Sequence, residues 1–425
     1  MGKKINFIVL AMIVIICLVT AEHYEELTSA IDSGDTAWMI VASAFVLLMT
    51  PGLSFFYGGM ISKKHIISTM LQSFVALGVI SVLWVFVGFS LCFGESIGGI
   101  IGNPFTYFNF HGVGSEPNPD FAETIPFMLF ALFQLKFAII TPALITGSMA
   151  GRIRFRSYIL FMVLFSLLIY SPLAHMTWHP DGLLRNWGVL DFAGGTVVHM
   201  SAGLAALAGA VFLGKRKEQT LEHGNVPFVI LGTGLLWFGW FGFNAGSALG
   251  ANADAVIAFA NTNIASATAM ITWVFYERML GRKMSAVGAC VGAVVGLVAI
   301  TPAAGFVNIG QSMFIGFIAA LICNWAIQWK NRSSIDDTLD VFPSHGVGGI
   351  VGMVLTGVFA KDVGLVYGET TTFLYHLLAL VLTSVFAFGG SYLLFKLVDS
   401  LLSMRVREDQ ETRGLDLSQH GERVE

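Results

Sequence analysis

Eleven apolar stretches, each long enough to cross a lipid bilayer, run along this chain. They lie at about 36–61, 66–94, 123–150, 157–178, 193–214, 227–249, 253–277, 284–304, 307–329, 344–360 and 371–403. A helical crossing needs roughly 20 predominantly apolar residues, whereas a membrane β-strand needs only about 9–11. Inside hydrocarbon every backbone N–H and C=O must be satisfied within the protein, so stretches of this length are helices. The 425 residues therefore read as an all-α integral membrane protein. Composition agrees: 12% of residues are charged and mean hydropathy is +0.75. Soluble domains carry about 25% charged residues, so a soluble enzyme and a disordered chain are both excluded. A net charge of −4 offers no basic footprint, and nucleic acid is not expected as a partner.

The N-terminus reads differently. Met1-Gly2-Lys3-Lys4 leads into an apolar run from about Ile5 to Val19, then Thr20-Ala21 before Glu22. A basic start, a short apolar run and small residues make a secretory signal peptide over 1–21, an uncleaved anchor helix being the alternative. Residues 22–403 then form the transmembrane domain and 404–425 a cytoplasmic tail. Orientation follows from the basic residues. Alternate loops and the tail hold 17 of the 23, among them Lys63, Arg152, Arg216, Arg282, Lys330 and Arg405. The opposite loops hold only Arg185 and Lys361. The mature N-terminus is expected outside and the C-terminus in the cytoplasm. The expected location is the plasma membrane, or the inner membrane of a Gram-negative cell.

Segments five and ten share a pattern. Asp191-Phe-Ala-Gly-Gly195 introduces His199, with Gly203 four residues on; Asp340-Val-Phe-Pro-Ser344 introduces His345, with Gly349 four residues on. Five crossings separate them, so the segments run in opposite directions, as in an inverted repeat of two five-helix halves. Ionisable groups inside a membrane are costly and face a cavity or a partner. Neutral imidazole donates through one nitrogen and accepts through the other, so two histidines could line a polar stripe for a small hydrogen-bonding solute. On local grounds alone Asp191 is a helix N-cap, and the i, i+4 pair Phe133 and Phe137 is ordinary packing. Cys17, Cys92, Cys290 and Cys323 lie in apolar runs without metal-like spacing. Gly288, Gly292 and Gly296 form a small-residue face for close helix contact. No nucleophile, metal or phosphate motif is present, so neither an enzyme nor a cofactor is expected.

Several motifs resemble one family, the ammonium transporters that include the Amt, Mep and Rh proteins. They are Asp191-Phe-Ala-Gly-Gly-Thr-Val-Val-His199, Trp240-Phe-Gly-Phe-Asn-Ala-Gly-Ser247, Asp340-Val-Phe-Pro-Ser-His345, Phe133-Gln-Leu-Lys-Phe137, Pro51-Gly-Leu-Ser-Phe-Phe-Tyr-Gly-Gly59 and the tail Gly414-Leu-Asp-Leu-Ser-Gln-His-Gly421. The resemblance runs from about residue 36 to the end.

It implies a homotrimer whose subunits each hold a narrow pore for ammonium or ammonia, with methylammonium as an analogue. By resemblance, Phe133, Trp178 and Ser247 form an outer recruitment site, and Phe137 and Phe243 a phenyl gate beneath it. His199 and His345 become paired pore histidines, and Asp191 supports the outer site structurally. Trp178 and Ser247 favour the Amt branch. The cytoplasmic face and tail resemble those bound by P-II signalling proteins, a soluble regulator. An ammonium sensor of the same fold with little conduction is the alternative reading. Two positions depart from the family pattern. Lys136 lies mid-segment beside Phe137, and a structural pairing away from the pore is expected for it. Gly151 stands in Ala150-Gly151-Arg152 where a glutamate is common, which puts a carboxylate contact between that loop and the tail in doubt.

Overall fold

The computed structural model describes residues 2–20, 31–218 and 222–424. Among them are eleven helices long and apolar enough to cross a membrane. Spans 1 to 4 are Ser33–Met60, Lys63–Phe93, Phe127–Met149 and Phe155–Asn186; spans 5 to 8 are Gly195–Leu213, Val226–Ala248, Ala253–Met279 and Ala286–Ala303. Spans 9 to 11 are Ile309–Arg332, Phe342–Phe359 and Thr371–Leu401. All eleven match the stretches read from the sequence. Short polar residues explain where many begin. Asp32, Asn225, Asn252 and Ser285 cap spans 1, 6, 7 and 8 by accepting a backbone N–H three residues on. Asn308 and Gln311 form a reciprocal capping box at span 9.

A further helix, Gly2–Thr20, precedes the spans, and Asn109 donates from Nδ2 to the carbonyl of Cys17 and to the Thr20 hydroxyl. The cleavage point expected after Ala21 lies outside the described residues. The long loop at 95–122 is structured. It holds a two-stranded hairpin, Ser96–Ile97 against Ile101–Gly102, and Phe121 packs on Phe93, Phe127 and Phe130.

Spans 5 and 10 cross each other, and glycine lets them touch. A Cβ on Gly203 would strike the backbone of Gly346, and one on Gly349 would press on Gly195 and Met200. Each of these spans opens with a wide π-type turn, Gly195–Met200 and Phe342–Val347, containing its histidine. Such turns recur where a helix must re-aim a side chain. The small-residue face of span 8 behaves as its pattern suggests: Gly292 and Gly296 lie against Ala269, Trp273 and Ala265 of span 7.

The tail lies against residues 65–68 and 152–155 of the same chain. Arg154 N donates to Met404 O and Val406 N to Arg152 O, at 2.8 and 3.0 Å. The Asp416 carboxylate accepts from Ile67 N and Ser68 N at 3.0 and 2.8 Å, and His65 Nδ1 accepts from Leu415 N at 3.1 Å. Gln419 accepts from Phe155 N at 2.9 Å. Gly151 adopts φ of +84°, a conformation that excludes most side chains, with its Cα side against the His65 ring. The loop therefore meets the tail through backbone and Gln419, with no carboxylate at 151. Arg152 turns inward, donating to Thr338 Oγ1 at 2.7 Å and to Asp336 O, and burial lowers its guanidinium to about 10.

Candidate functional site: a vestibule, an aromatic gate and a histidine-lined pore

Asp191 organises the start of span 5. Its carboxylate accepts from Gly194 N, Gly195 N and Thr196 N at 2.8, 2.6 and 2.7 Å, and from Thr196 Oγ1 at 2.5 Å. These are the orphan N–H groups at the start of span 5, so a negative charge is stabilised there without a counter-cation. The Trp178 indole donates to the Asp191 carbonyl at 3.1 Å. One carboxylate thus holds the backbone that holds the tryptophan.

Trp178, Ser247, Gln134, Phe137 and Asp191 line one open cavity of about 300 Å³. Ser247 donates its hydroxyl to Phe243 O at 2.8 Å, which leaves its lone pairs to accept a hydrogen bond from a bound solute. Phe133 is placed differently from expectation. It is fully buried, edge-on to Phe137 at 5.0 Å and close to Gly246, and it does not line the cavity. Its position is that of an i, i+4 packing partner of Phe137. The floor of the cavity is aromatic. Phe137 and Phe243 stack with centroids 4.2 Å apart, and Trp178 meets Phe137 edge-on at 5.7 Å.

Beneath Phe243 lies a narrow void of about 10 Å³, on the order of one water-sized sphere. Its walls are apolar side chains from several spans, including Leu53, Ile140, Leu144, Val198 and Val294, and the polar groups are His199 and His345. The two imidazoles face each other through their Nδ1 atoms at 3.4 Å, with ring planes 28° apart. Two nitrogens share one hydrogen, so one ring donates and the other accepts.

Thr301, at the end of span 8, sets which is which, and no sequence motif singled it out. Its hydroxyl donates to Leu297 O at 2.8 Å and accepts from Trp240 Nε1 at 2.9 Å. His199 Nε2 lies 3.3 Å from the same oxygen. With its own proton committed to Leu297, Thr301 accepts from His199 Nε2–H. His199 Nδ1 is then a bare acceptor, His345 Nδ1–H donates to it, and His345 Nε2 is left bare. The threonine is a positioning residue for the tautomers of the pair.

Lys136 lines neither the cavity nor the void and makes no hydrogen bond or ion pair among the described residues. It lies away from the pore as expected, without the expected partner inside the chain. At the start of span 10 the carboxylate matching Asp191 is Asp337. Each stands eight residues before its histidine, and Asp337 accepts from Phe342 N at 2.7 Å at the start of span 10. Asp340, which the sequence pattern placed opposite Asp191, pairs instead with Lys330 at 2.6 Å. Among the described residues no cluster of histidine, cysteine or carboxylate side chains could hold a metal ion.

An eleven-span helical bundle with a water-sized, histidine-lined void beneath an aromatic floor is a membrane transport protein. The chain belongs to the Ammonium Transporter Family, whose model matches residues 37–425. It is 48% identical to an ammonium transporter of Aquifex aeolicus over 401 residues, 93% of this chain and 94% of that one. Mep2 of Candida albicans shares the fold with a TM-score of 0.84 at 34% identity, over 91% of this chain and 89% of Mep2. A solved structure described as a sensor Amt protein matches with a TM-score of 0.84 at 30% identity, over 91% of this chain and 98% of that chain. The family is one of transporters rather than enzymes, and ammonium transport is its activity.

Proposed function

We propose that this protein recruits ammonium in the outer cavity, where the ion gives its proton to solvent water above the phenyl gate, and conducts the resulting ammonia past the histidine pair. The observation that carries this reading is the apolar, water-sized void whose polar lining is two imidazoles sharing one hydrogen bond. A cation there would pay at least a few kcal/mol of desolvation, which neutral ammonia largely escapes. Potassium has no proton to lose, so deprotonation is the filter. The aromatic faces attract either cation by about 0.5–2 kcal/mol. Ser247, as an acceptor, favours ammonium, which can donate. In this reading Trp178 and Ser247 contact the ion, Phe133 buttresses Phe137, and Phe137 with Phe243 keeps water out of the pore. Asp191 fixes Trp178 and supplies the nearest negative charge.

The proposal extends to the assembly. The subunit sits in the plasma membrane as a homotrimer, N-terminus outside and tail in the cytoplasm, after loss of the 1–21 signal peptide. Its two halves are an inverted repeat, and a P-II protein docks at the tail face. Purified protein reconstituted in ion-tight liposomes tests the core of this. Saturable methylammonium uptake, with a current on ammonium addition if the proton follows by a separate route, is expected. His199→Ala together with His345→Ala should alter that current or the selectivity over potassium; unchanged behaviour in both removes the assigned roles. The sensor-like neighbour supports a second reading, ammonium binding with little flux. Binding without uptake in the same liposomes would select it.

A further inference from the structure

Where the tail crosses the turn between spans 1 and 2 it leaves a cleft of about 310 Å³, lined by Lys63, Lys64, Arg413, Asp416, Glu422 and Arg423 among others. Four cations from three separate places converge: the turn, the end of the Glu408–Arg413 helix and the last residues described. Lys64 is already engaged, by Glu218 and the Thr412 carbonyl at 2.8 and 3.0 Å. Asp416 is engaged as well, both oxygens accepting backbone N–H groups of span 2. Lys63, Arg413 and Arg423 are exposed and make no ion pair or side-chain hydrogen bond among the described residues. Glu422 is the one carboxylate of the lining in the same condition.

On the same face Arg216 pairs with Asp336, Lys217 with Glu408, Lys330 with Asp340 and Arg405 with Glu411, while Arg156, Lys215 and Arg332 stand singly without an ion pair among the described residues. Lys63, Arg413 and Arg423 differ from those single cations in lining one hollow together. Like charges held together repel, and an anion between them removes that cost. Two guanidinium forks and one ammonium suit phosphoryl oxygens, which accept bidentate bonds from arginine and a point charge from lysine.

We infer that the cleft between the tail and the first cytoplasmic turn binds a phosphate group, held by Lys63, Arg413 and Arg423. The ligand bridges the turn to the tail and fastens one to the other. Phosphoryl oxygens could come from free phosphate or from the headgroup of an anionic lipid, and the test separates them. The inference does not depend on the transport mechanism, because its readout is binding.

Inorganic phosphate titrated into the full-length protein in detergent, against chloride at matched ionic strength, should give saturable heat in calorimetry. Arg413→Gln with Arg423→Gln should raise the half-saturating concentration by at least about tenfold, since both charged hydrogen-bond donors are lost. Arg332→Gln, an exposed cation at the end of span 9, should leave it unchanged. In nanodiscs, suppression of the phosphate response by phosphatidylglycerol relative to phosphatidylcholine identifies a lipid headgroup as occupant. An equal response in both identifies soluble phosphate. If the double variant unfolds early without phosphate, Lys63→Gln and Arg423→Lys carry the comparison, both weakening binding and the second, which keeps the charge, the less. No saturable response beyond chloride in detergent or nanodisc, or binding that survives loss of the cations, overturns the site.

Discussion

At the scale of single residues the pore is governed by proton accounting. Thr301 carries a hydrogen bond from Trp240 and one from His199, and only a hydroxyl committed elsewhere can do both. Thr301→Val keeps the shape and removes the acceptor. It should strand two buried N–H donors at about 1–3 kcal/mol each, lower the thermal midpoint and slow methylammonium uptake several-fold. Thr301→Ser should restore both, and a valine variant with normal uptake would show that the tautomers do not need it. His199 and His345 were legible from sequence because an ionisable residue in an apolar run stands out. Thr301 was not: a threonine at a span end is common, and its importance lies in contacts with residues 61 and 102 positions away. Phe133 shows the opposite failure, a motif residue that the packing turns to the back of the gate.

At the scale of helices, the histidines meet because spans 5 and 10 cross with almost no separation. Gly203 faces the backbone of Gly346, which cannot yield as a flexible side chain would. Gly203→Val should push the spans apart, cost about 1–3 kcal/mol or more as overpacking and lower uptake by at least tenfold. Gly234→Ala, with nothing within 4 Å of its added carbon, should leave both uptake and midpoint unchanged. If the two variants behave alike, the crossing does not set the pore. The lengths and caps of these elements were readable from local pattern, since apolar run and N-cap are properties of neighbouring residues. That Asp337 rather than Asp340 caps span 10 was not readable. Asp340 takes φ of +57° and turns to Lys330, a choice made by span 9.

At the scale of the whole molecule, the loops after spans 3, 5 and 9 form one charge network at one end of the bundle. Burial raises the Asp337 carboxyl from 3.8 to about 6, Lys330 opposing and Asp340 adding to the rise. Burial pushes Asp336 up too, but Arg216 and Arg152 outweigh it and hold that carboxyl below its ordinary value. The folded chain thus binds a proton at Asp337 more tightly than the unfolded chain. The stability this contributes is full below about pH 4 and is lost as pH rises through about 6. Asn at 337 keeps the acceptor for Phe342 N and does not titrate. Thermal midpoints of wild type and Asp337→Asn, compared at about pH 4.5 and 7.5, should shift in favour of the variant at the higher pH. A difference independent of pH would place the buried charge elsewhere.

The apolar run lengths and scarce charges are local, additive quantities, and they sufficed for a lipid-embedded bundle of eleven helices with two histidines inside it. Which faces meet is not local. The shared hydrogen between His199 and His345, the threonine that orders it, the burial of Phe133 and the tail held by backbone bonds each join residues far apart in the chain. Such contacts depend on how helices pack, and periodicity along one helix carries no record of its neighbour.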